Sequence, residues 1–291
     1  MEFNRFILGK NVDVLSTFPD NCIDLVVTSP PYDMLRNYKG KIKSNDYNGY
    51  SFPFEPLANQ LFRVLKDGGV IAWVVNDGTD KKGSKTGTSF RQCLYFKEIG
   101  FNIHDVIIYE KNGCSFPSTN RYYQITEYMF ILSKGKPKTV NLIKDRENKW
   151  AGCSNWGKQT NRSNDDELKQ AKSHITEKFG VRFNIWKYNT GKGYTTKDDF
   201  ASKHPAIFPE KLALDHILSW SNENDIVLDP FVGSGTTTKM AFLSNRKYIG
   251  IDINQEYIDL AKQRLRTEYL INTDVSQLNP TEENNLNELF K

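Results

Sequence analysis

Two blocks in which short apolar runs alternate with helix-period stretches, separated by a block with neither, limit most strongly how this chain can fold. In the first block Phe6-Ile7-Leu8 is followed by Gly9, and Ile23-Asp24-Leu25-Val26-Val27 ends in Thr28-Ser29-Pro30-Pro31. Glu55 to Lys66 carries Leu57, Leu61, Phe62 and Leu65 at helical spacing and stops at Asp67-Gly68-Gly69. Val70 to Val75 reads as a buried strand, residues 88–99 as a helix closed by Gly100. Strands near Asn102–Tyr109 and Gln124–Leu132 have no helix between them, which predicts an antiparallel hairpin at one sheet edge. In the last block Pro209 to Trp220 is a helix with proline in its first turn. A strand at Ile226-Val227-Leu228, a helix to about Leu243, a strand at Tyr248–Asp252 and a helix from an Asn254 cap to about Tyr269 follow. Such alternation implies βαβ units and a largely parallel α/β sheet.

The middle block, residues 133–203, is polar and Asn-rich, with Trp150, Trp156, Phe183 and Trp186 interleaved and a helix expected over 165–179. It holds 16 Lys and Arg against 8 Asp and Glu, so it carries +8, whereas the whole chain is only +4. A basic segment of this kind is the electrostatic footprint of a polyanion partner, although a solvated surface insert would look the same. The expected organisation is therefore one catalytic domain from 1–132 and 204–270, a basic recognition segment at 133–203, and a C-terminal tail at 271–291.

Some classes drop out. No apolar run approaches the roughly 18–20 residues of a membrane span, and Met-Glu-Phe-Asn-Arg-Phe lacks the pattern of a signal peptide. Cys22, Cys93, Cys114 and Cys153 form no Cys-x-x-Cys pair and the four histidines no His-x-x-x-His pair, so no metal site is expected. Scattered thiols fit a reducing, cytoplasmic setting.

Two motifs carry chemistry. Gly233-x-Gly235 lies between a strand and a helix, with Asp252 at the end of the next strand. Glycines let backbone approach a ligand, the helix N-terminus favours negative charge, and the acid can accept from ribose hydroxyls. The pattern departs from the dinucleotide fingerprint, since Thr238 holds the third glycine position, and no glycine directly precedes Lys239 as a P-loop needs. The second motif is Val27-Thr28-Ser29-Pro30-Pro31-Tyr32, directly after an apolar strand.

That second motif resembles the catalytic motif of DNA amino-methyltransferases, which methylate cytosine N4 or adenine N6 with S-adenosylmethionine. Asp-Pro-Phe-Val-Gly-Ser-Gly-Thr-Thr at 229–237 is similar to the same family's cofactor motif, and His-Pro-Ala-Ile-Phe-Pro-Glu-Lys-Leu at 204–212 to the motif preceding it. With the catalytic motif first and the cofactor motif last, the order resembles the family's β arrangement, over roughly residues 3–268. The resemblance implies a Rossmann-like class I methyltransferase sheet with helices on both faces, circularly permuted, with an inserted target-recognition region. It implies catalytic roles for Ser29, Pro30, Pro31 and Tyr32. Cofactor contacts carry over to Asp229, Phe231, Gly233, Gly235, Thr236, Thr237 and Asp252, and to His204 and Phe208. Related chains read Gly-Asp after the first strand; here it is Gly9-Lys10, with Asp13 the nearest acid, so that contact has no counterpart.

The chemistry suits these residue types. The lone pair of an exocyclic amine is delocalised into the base, so the enzyme must hold the amino hydrogens. The Ser29 hydroxyl and the Pro30 carbonyl are the candidate acceptors, prolines fix the carbonyl directions, and Tyr32 offers a stacking face. No nucleophilic cysteine is called for, which disfavours C5-cytosine methylation. Ser in place of Asp resembles the cytosine-N4 group more than the adenine-N6 group, although Ser-Pro-Pro-Tyr also occurs in adenine enzymes. The partner implied is DNA, as a duplex with the base flipped out or as a single strand. The loop from Asp33 to Tyr50, with Arg36, Lys39, Lys41 and Lys43, is placed to close over it. The resemblance also admits a cognate restriction endonuclease and a homodimer. A reading from another class is a non-catalytic DNA-binding protein with a methyltransferase fold.

Overall fold

The computed structural model describes residues 2–31, 52–80, 82–114, 119–154, 160–162, 168–170, 175–191, 193–196, 198 and 207–272. Two compact units divide the chain: residues 1–141 with 185–291, and residues 142–184.

In the larger unit the chain runs β1 (Arg5–Leu8), α1 (Asn11–Ser16), β2 (Ile23–Thr28), α2 (Phe54–Val64), β3 (Leu65–Val75), α3 (Thr88–Glu98), β4 (Asn102–Lys111) and β5 (Thr126–Ser133). In the smaller unit lie β6 (Arg146–Glu147), β7 (Thr160–Arg162), β8 (Leu168–Gln170) and β9 (Phe179–Gly180). The larger unit resumes with β10 (Ile185–Tyr188), α4 (Glu210–Trp220), β11 (Ile226–Asp229), α5 (Thr236–Leu243), β12 (Lys247–Asp252) and α6 (Gln255–Asn272). Asn254 caps α6 as its sequence suggests, its Oδ1 accepting from Glu256 N at 2.9 Å.

Eight strands form one sheet in the order β1-β12-β11-β2-β3-β5-β4-β10. The first five are mutually parallel, and β5 runs antiparallel to both β3 and β4. The β4–β5 pair expected from sequence is present, but it does not end the sheet: β10 adds to β4 in parallel, Ile185 opposite Ile108 and Tyr188 opposite Lys111. Trp186 and Tyr188 are buried there while Ile185 and Lys187 are exposed, the period of a half-covered strand. The middle compact unit is therefore narrower than the basic span read from charge.

Strands β2 and β3 are apolar and buried over Leu25–Val27 and Val70–Val75 because helices cover both faces there. Ile71, Trp73 and Val75 pack with Leu57 and Leu61 of α2 and Phe96 of α3. Their neighbours Val70, Ala72 and Val74 are equally buried on the other side, where α4 meets β2 and α5 meets β11 and β12. Strand β3 starts at Leu65, before the Asp67-Gly68-Gly69 expected to separate helix from strand, and the β2–β3 register shifts between Ile23 and Leu25. A Cβ on Gly69 would lie 3.0 Å from the Asp24 carbonyl oxygen, so these glycines serve a close strand approach.

The smaller unit pairs β6 with β9 and β7 with β8, both antiparallel. Residues 168–170 and 179–180 are thus strand, not the helix expected over 165–179. Backbone pairing overrides a weak helical propensity there. None of the residues 142–154 and 175–184 is buried. Among the described residues no helix is long and apolar enough to cross a membrane, and no group of three or more His, Cys, Asp or Glu could hold a metal ion.

Candidate active site

Strands β1, β12, β11 and β2 are parallel neighbours, so their carboxyl ends share one sheet edge. In open α/β sheets ligands bind at this edge. The Ser29-Pro30-Pro31 segment leaves β2 there, the Asp229–Gly235 turn leaves β11, and Asp252 closes β12.

One hydrogen bond joins the two motifs. Thr28 Oγ1 donates to Asp229 Oδ1 at 2.6 Å, with both residues buried. Phe231 N donates to the same oxygen at 3.0 Å. Thr237 Oγ1 reaches back to the Val27 carbonyl at 3.1 Å. Burial pushes the Asp229 carboxyl up to about 6; the bonds from Thr28, Phe231 and Thr237 oppose that shift, and the nearby Asp252 adds to it.

The turn itself is shaped by glycine. Gly233 and Gly235 have φ of 50° and 81°, in the left-handed region. A Cβ on Gly235 would lie 2.7 Å from Ala261 Cβ, so only glycine lets the turn sit against α6. Asp252 Oδ2 accepts from Gly233 N at 3.0 Å and Oδ1 from Asn254 N at 2.9 Å. Burial raises the Asp252 carboxyl above its ordinary value, against the bonds from the Asn254, Gly233 and Ile253 amides. Each oxygen keeps further acceptor capacity, so the residue fits a ligand hydroxyl. Phe231 is half-buried, with the Phe52 ring edge-on at 4.8 Å.

The structure thus brings Ser29, Pro30 and Pro31 to one edge with Phe231, Gly233, Gly235 and Asp252. Ser29 and Pro31 are partly exposed and Pro30 is buried. Asp229, Thr236 and Thr237 are also there, but their side chains are turned to the protein: Asp229 to Thr28, Thr237 to Val27, and Thr236 to Arg264 at 3.2 Å. These hydrogen bonds shape the turn. Phe208 is half-buried just before Pro209 and α4. Tyr32, Arg36, Lys39, Lys41, Lys43 and His204 lie outside the described residues.

Asn11 escaped the sequence reading. It follows the Gly9-Lys10 departure, is buried, and its Nδ2 donates to the Pro230 carbonyl at 3.4 Å, tying the β1–α1 turn to the one after β11. The end of β3 also went unread. Asn76 and Asp77 are buried there; Asp77 Oδ2 accepts from Ser89 Oγ at 2.7 Å, and Gln124 Nε2 donates to Asn76 Oδ1 at 2.6 Å. Beside Gln124, Tyr122 and Tyr123 stand exposed in the loop entering β5, at the same edge as Ser29. Only their positions after folding, and no motif, mark these residues.

The basic charge is spread unevenly. Residues 142–184 hold nine Lys and Arg against six Asp and Glu, only part of the excess in 133–203. Lys134 belongs to the far edge: it donates to Asn21 Oδ1 at 2.7 Å and to the Leu65 carbonyl at 3.0 Å, beside the start of β3. The tryptophans divide too. Trp186 is buried and stacks on His216 at 4.8 Å, whereas Trp150 is 73% exposed. Trp156 lies outside the described residues.

Residues 23–263 match the family model described as DNA methylase, the N6/N4 group. The chain belongs to this family. The orphan methyltransferase M.BamHII of Bacillus amyloliquefaciens is 60% identical over 253 residues, covering 87% of this chain and 91% of that protein. The type II methyltransferase M.SmaI of Serratia marcescens is 27% identical, with 90% of each chain covered. Among solved structures, the cytosine-N4-specific PvuII DNA methyltransferase superposes with a TM-score of 0.65 at 17% identity, over 100% of this chain and 92% of that one. TTHA0409 of Thermus thermophilus, solved with S-adenosyl-L-methionine, gives 0.57 at 21% identity, over 91% and 96%. The sheet described above is thus a methyltransferase fold, and the family activity is DNA methylation.

Proposed function

We propose that this chain transfers a methyl group from S-adenosylmethionine to the exocyclic amine of a base in a specific DNA sequence, with cytosine N4 favoured. The observation that carries the reading is the Thr28–Asp229 bond, which fixes the Ser29-Pro30-Pro31 segment against the turn that holds the cofactor. Asp252, Phe231 and the glycine turn at the amino end of α5 would hold the cofactor, the acid by accepting from hydroxyl groups and the helix end by favouring negative charge. When bound, the cofactor supplies a sulfonium-activated methyl group. The Ser29 hydroxyl and the Pro30 carbonyl would accept hydrogen bonds from the amino group and so turn the nitrogen lone pair towards that methyl, the surplus amino proton passing to solvent as the new N–C bond replaces the S–C bond. Tyr32 stacks on the base, delivered flipped from a duplex or from a single strand. Positioning supplies most of the rate.

Two of the four thiols are poorly suited to act as nucleophiles. Burial raises the Cys22 thiol above its ordinary value and takes Cys93 up to about 11. The choice of cytosine rests on Ser29, and adenine N6 is the second reading. Incubating DNA with labelled cofactor and analysing the nucleosides by mass spectrometry tests both. N4-methylcytosine is expected; N6-methyladenine alone would reverse the choice, and no methylated base would return the chain to a DNA-binding role without catalysis.

A further inference from the structure

Behind the cofactor turn lies a closed cluster of four charges. Arg264 is 0% and Lys239 2% exposed. Arg264 Nε donates to Asp198 Oδ2 at 2.7 Å, and its Nη2 to Glu210 Oε1 at 2.7 Å and Thr196 Oγ1 at 3.2 Å. Lys239 Nζ donates to the same two carboxylates, at 2.9 Å each. Thr196 Oγ1 donates to Glu210 Oε1 at 2.7 Å. Two cations and two carboxylates leave no net charge. Although burial raises it, the bonds from Arg264 and Lys239 hold the Asp198 carboxyl below its ordinary value.

The remaining arm of Arg264 points at the turn. Its Nη1 donates to the Ser234 carbonyl at 2.7 Å, to Ser234 Oγ at 3.1 Å and to Thr236 Oγ1 at 3.2 Å. Ser234 stands between the two left-handed glycines, which have no side chains with which to hold the turn. Asp252 grips Gly233 N on one side, and Arg264 grips the next carbonyl from behind. A buried ion cluster is a poor source of stability, since apolar packing of equal volume often does as well. What it offers is geometry, because a guanidinium is a rigid fork of five donors.

We propose that Arg264 is the positioning residue of the cofactor turn and couples it to Thr196 and Asp198, so that cofactor affinity depends on a segment remote in sequence. The proposal rests on the reading that the 233–237 turn holds S-adenosylmethionine. Arg264→Lys keeps the charge but cannot reach the Ser234 carbonyl and both acids together. Thr196→Val removes an acceptor of Arg264 and makes no hydrogen bond to the turn. Calorimetry with S-adenosylmethionine on full-length protein, beside steady-state kinetics, reads the effect. Arg264→Lys is expected to raise Kd and the cofactor KM about tenfold, and Thr196→Val about threefold, with kcat at saturation unchanged. Folded Arg264→Lys protein that binds within about twofold of wild type overturns the proposal, as does a parallel fall in kcat. Should Arg264→Lys fail to fold, Thr196→Val decides: weaker binding supports the coupling, unchanged binding refutes it. Wild-type protein that binds no S-adenosylmethionine would instead sink the reading of the turn itself.

Discussion

The Thr28 hydroxyl donates to the Asp229 carboxylate at 2.6 Å across 201 residues of sequence. Thr28→Val keeps the shape and removes the donor, leaving a buried carboxylate less well satisfied. Stability should fall by about 1–3 kcal/mol, and kcat/KM should drop as the two motifs lose register. Urea denaturation beside a methylation assay measures both; full stability and full activity would deny the bond its role.

Asp229 also sets a pH dependence. Burial raises its carboxyl from 3.8 to about 6, so the folded protein holds this proton more tightly than the unfolded chain. Its contribution to stability is full below the unfolded value and is lost as pH rises through about 6, a change of about 3 kcal/mol. Asp229→Asn has no such titration. Wild type should therefore lose stability relative to Asp229→Asn between about pH 4 and 7, as followed by denaturant melts at each pH. A constant difference would show that the carboxyl is not raised.

Binding and turnover should separate by motif. Ser29→Ala is expected to lose turnover by a factor of about 100 or more, the scale of removing one oriented polar contact in a transition state, and Tyr32→Ala by about tenfold to 100-fold through a lost stacking face, while both keep cofactor affinity. Asp252→Ala should weaken cofactor binding and loosen Gly233. Calorimetry decides, and unchanged affinity in Asp252→Ala would remove that assignment.

The tryptophans should behave oppositely. Trp186→Ala empties a buried site against His216 and should cost about 3–5 kcal/mol. Trp150→Ala should alter stability by no more than about 0.5 kcal/mol while weakening DNA binding through a lost stacking face. Thermal melts and a DNA titration on the two variants distinguish packing from contact.

Charge neutralisation should discriminate between segments. Lys136→Ala with Lys138→Ala, beside the start of β3 at the far edge, should leave DNA affinity unchanged. Lys149→Ala with Lys178→Ala should weaken it and flatten the salt dependence by about one unit of slope for each phosphate that is no longer neutralised. Fluorescence anisotropy over a salt series measures this. Equal losses in both pairs would make the charge effect nonspecific.

Most of the sheet was legible because its strands are continuous apolar runs ended by glycine, proline or a capping residue. The short β10 was not, because four residues inside a basic stretch carry too little pattern, and only Trp186 and Tyr188 turn inward. The Ser29-Pro30-Pro31 and 229–237 motifs could be read and placed at strand ends, since close backbone approach leaves glycines and prolines in fixed order. Their mutual support could not. Arg264 and Lys239 look like solvated helix charges in sequence, and Asn11 looks like a helix start; each acts through a partner far along the chain. The hydrogen bonds of Asp229 to Thr28 and of Thr237 to Val27 were hidden for the same reason, since a motif lists residues without saying which way a side chain faces.

The position of β11 between β12 and β2 has a temporal side. A ribosome delivers β2 and β3 long before β11, and β1 waits for β12 until nearly all of the sheet has been made. During that interval the chain presents open strand edges that only its own late segments can close. Pairings this distant form slowly and stay exposed to wrong partners meanwhile. Competence to modify DNA should therefore arise abruptly, only once β11 and β12 have been made.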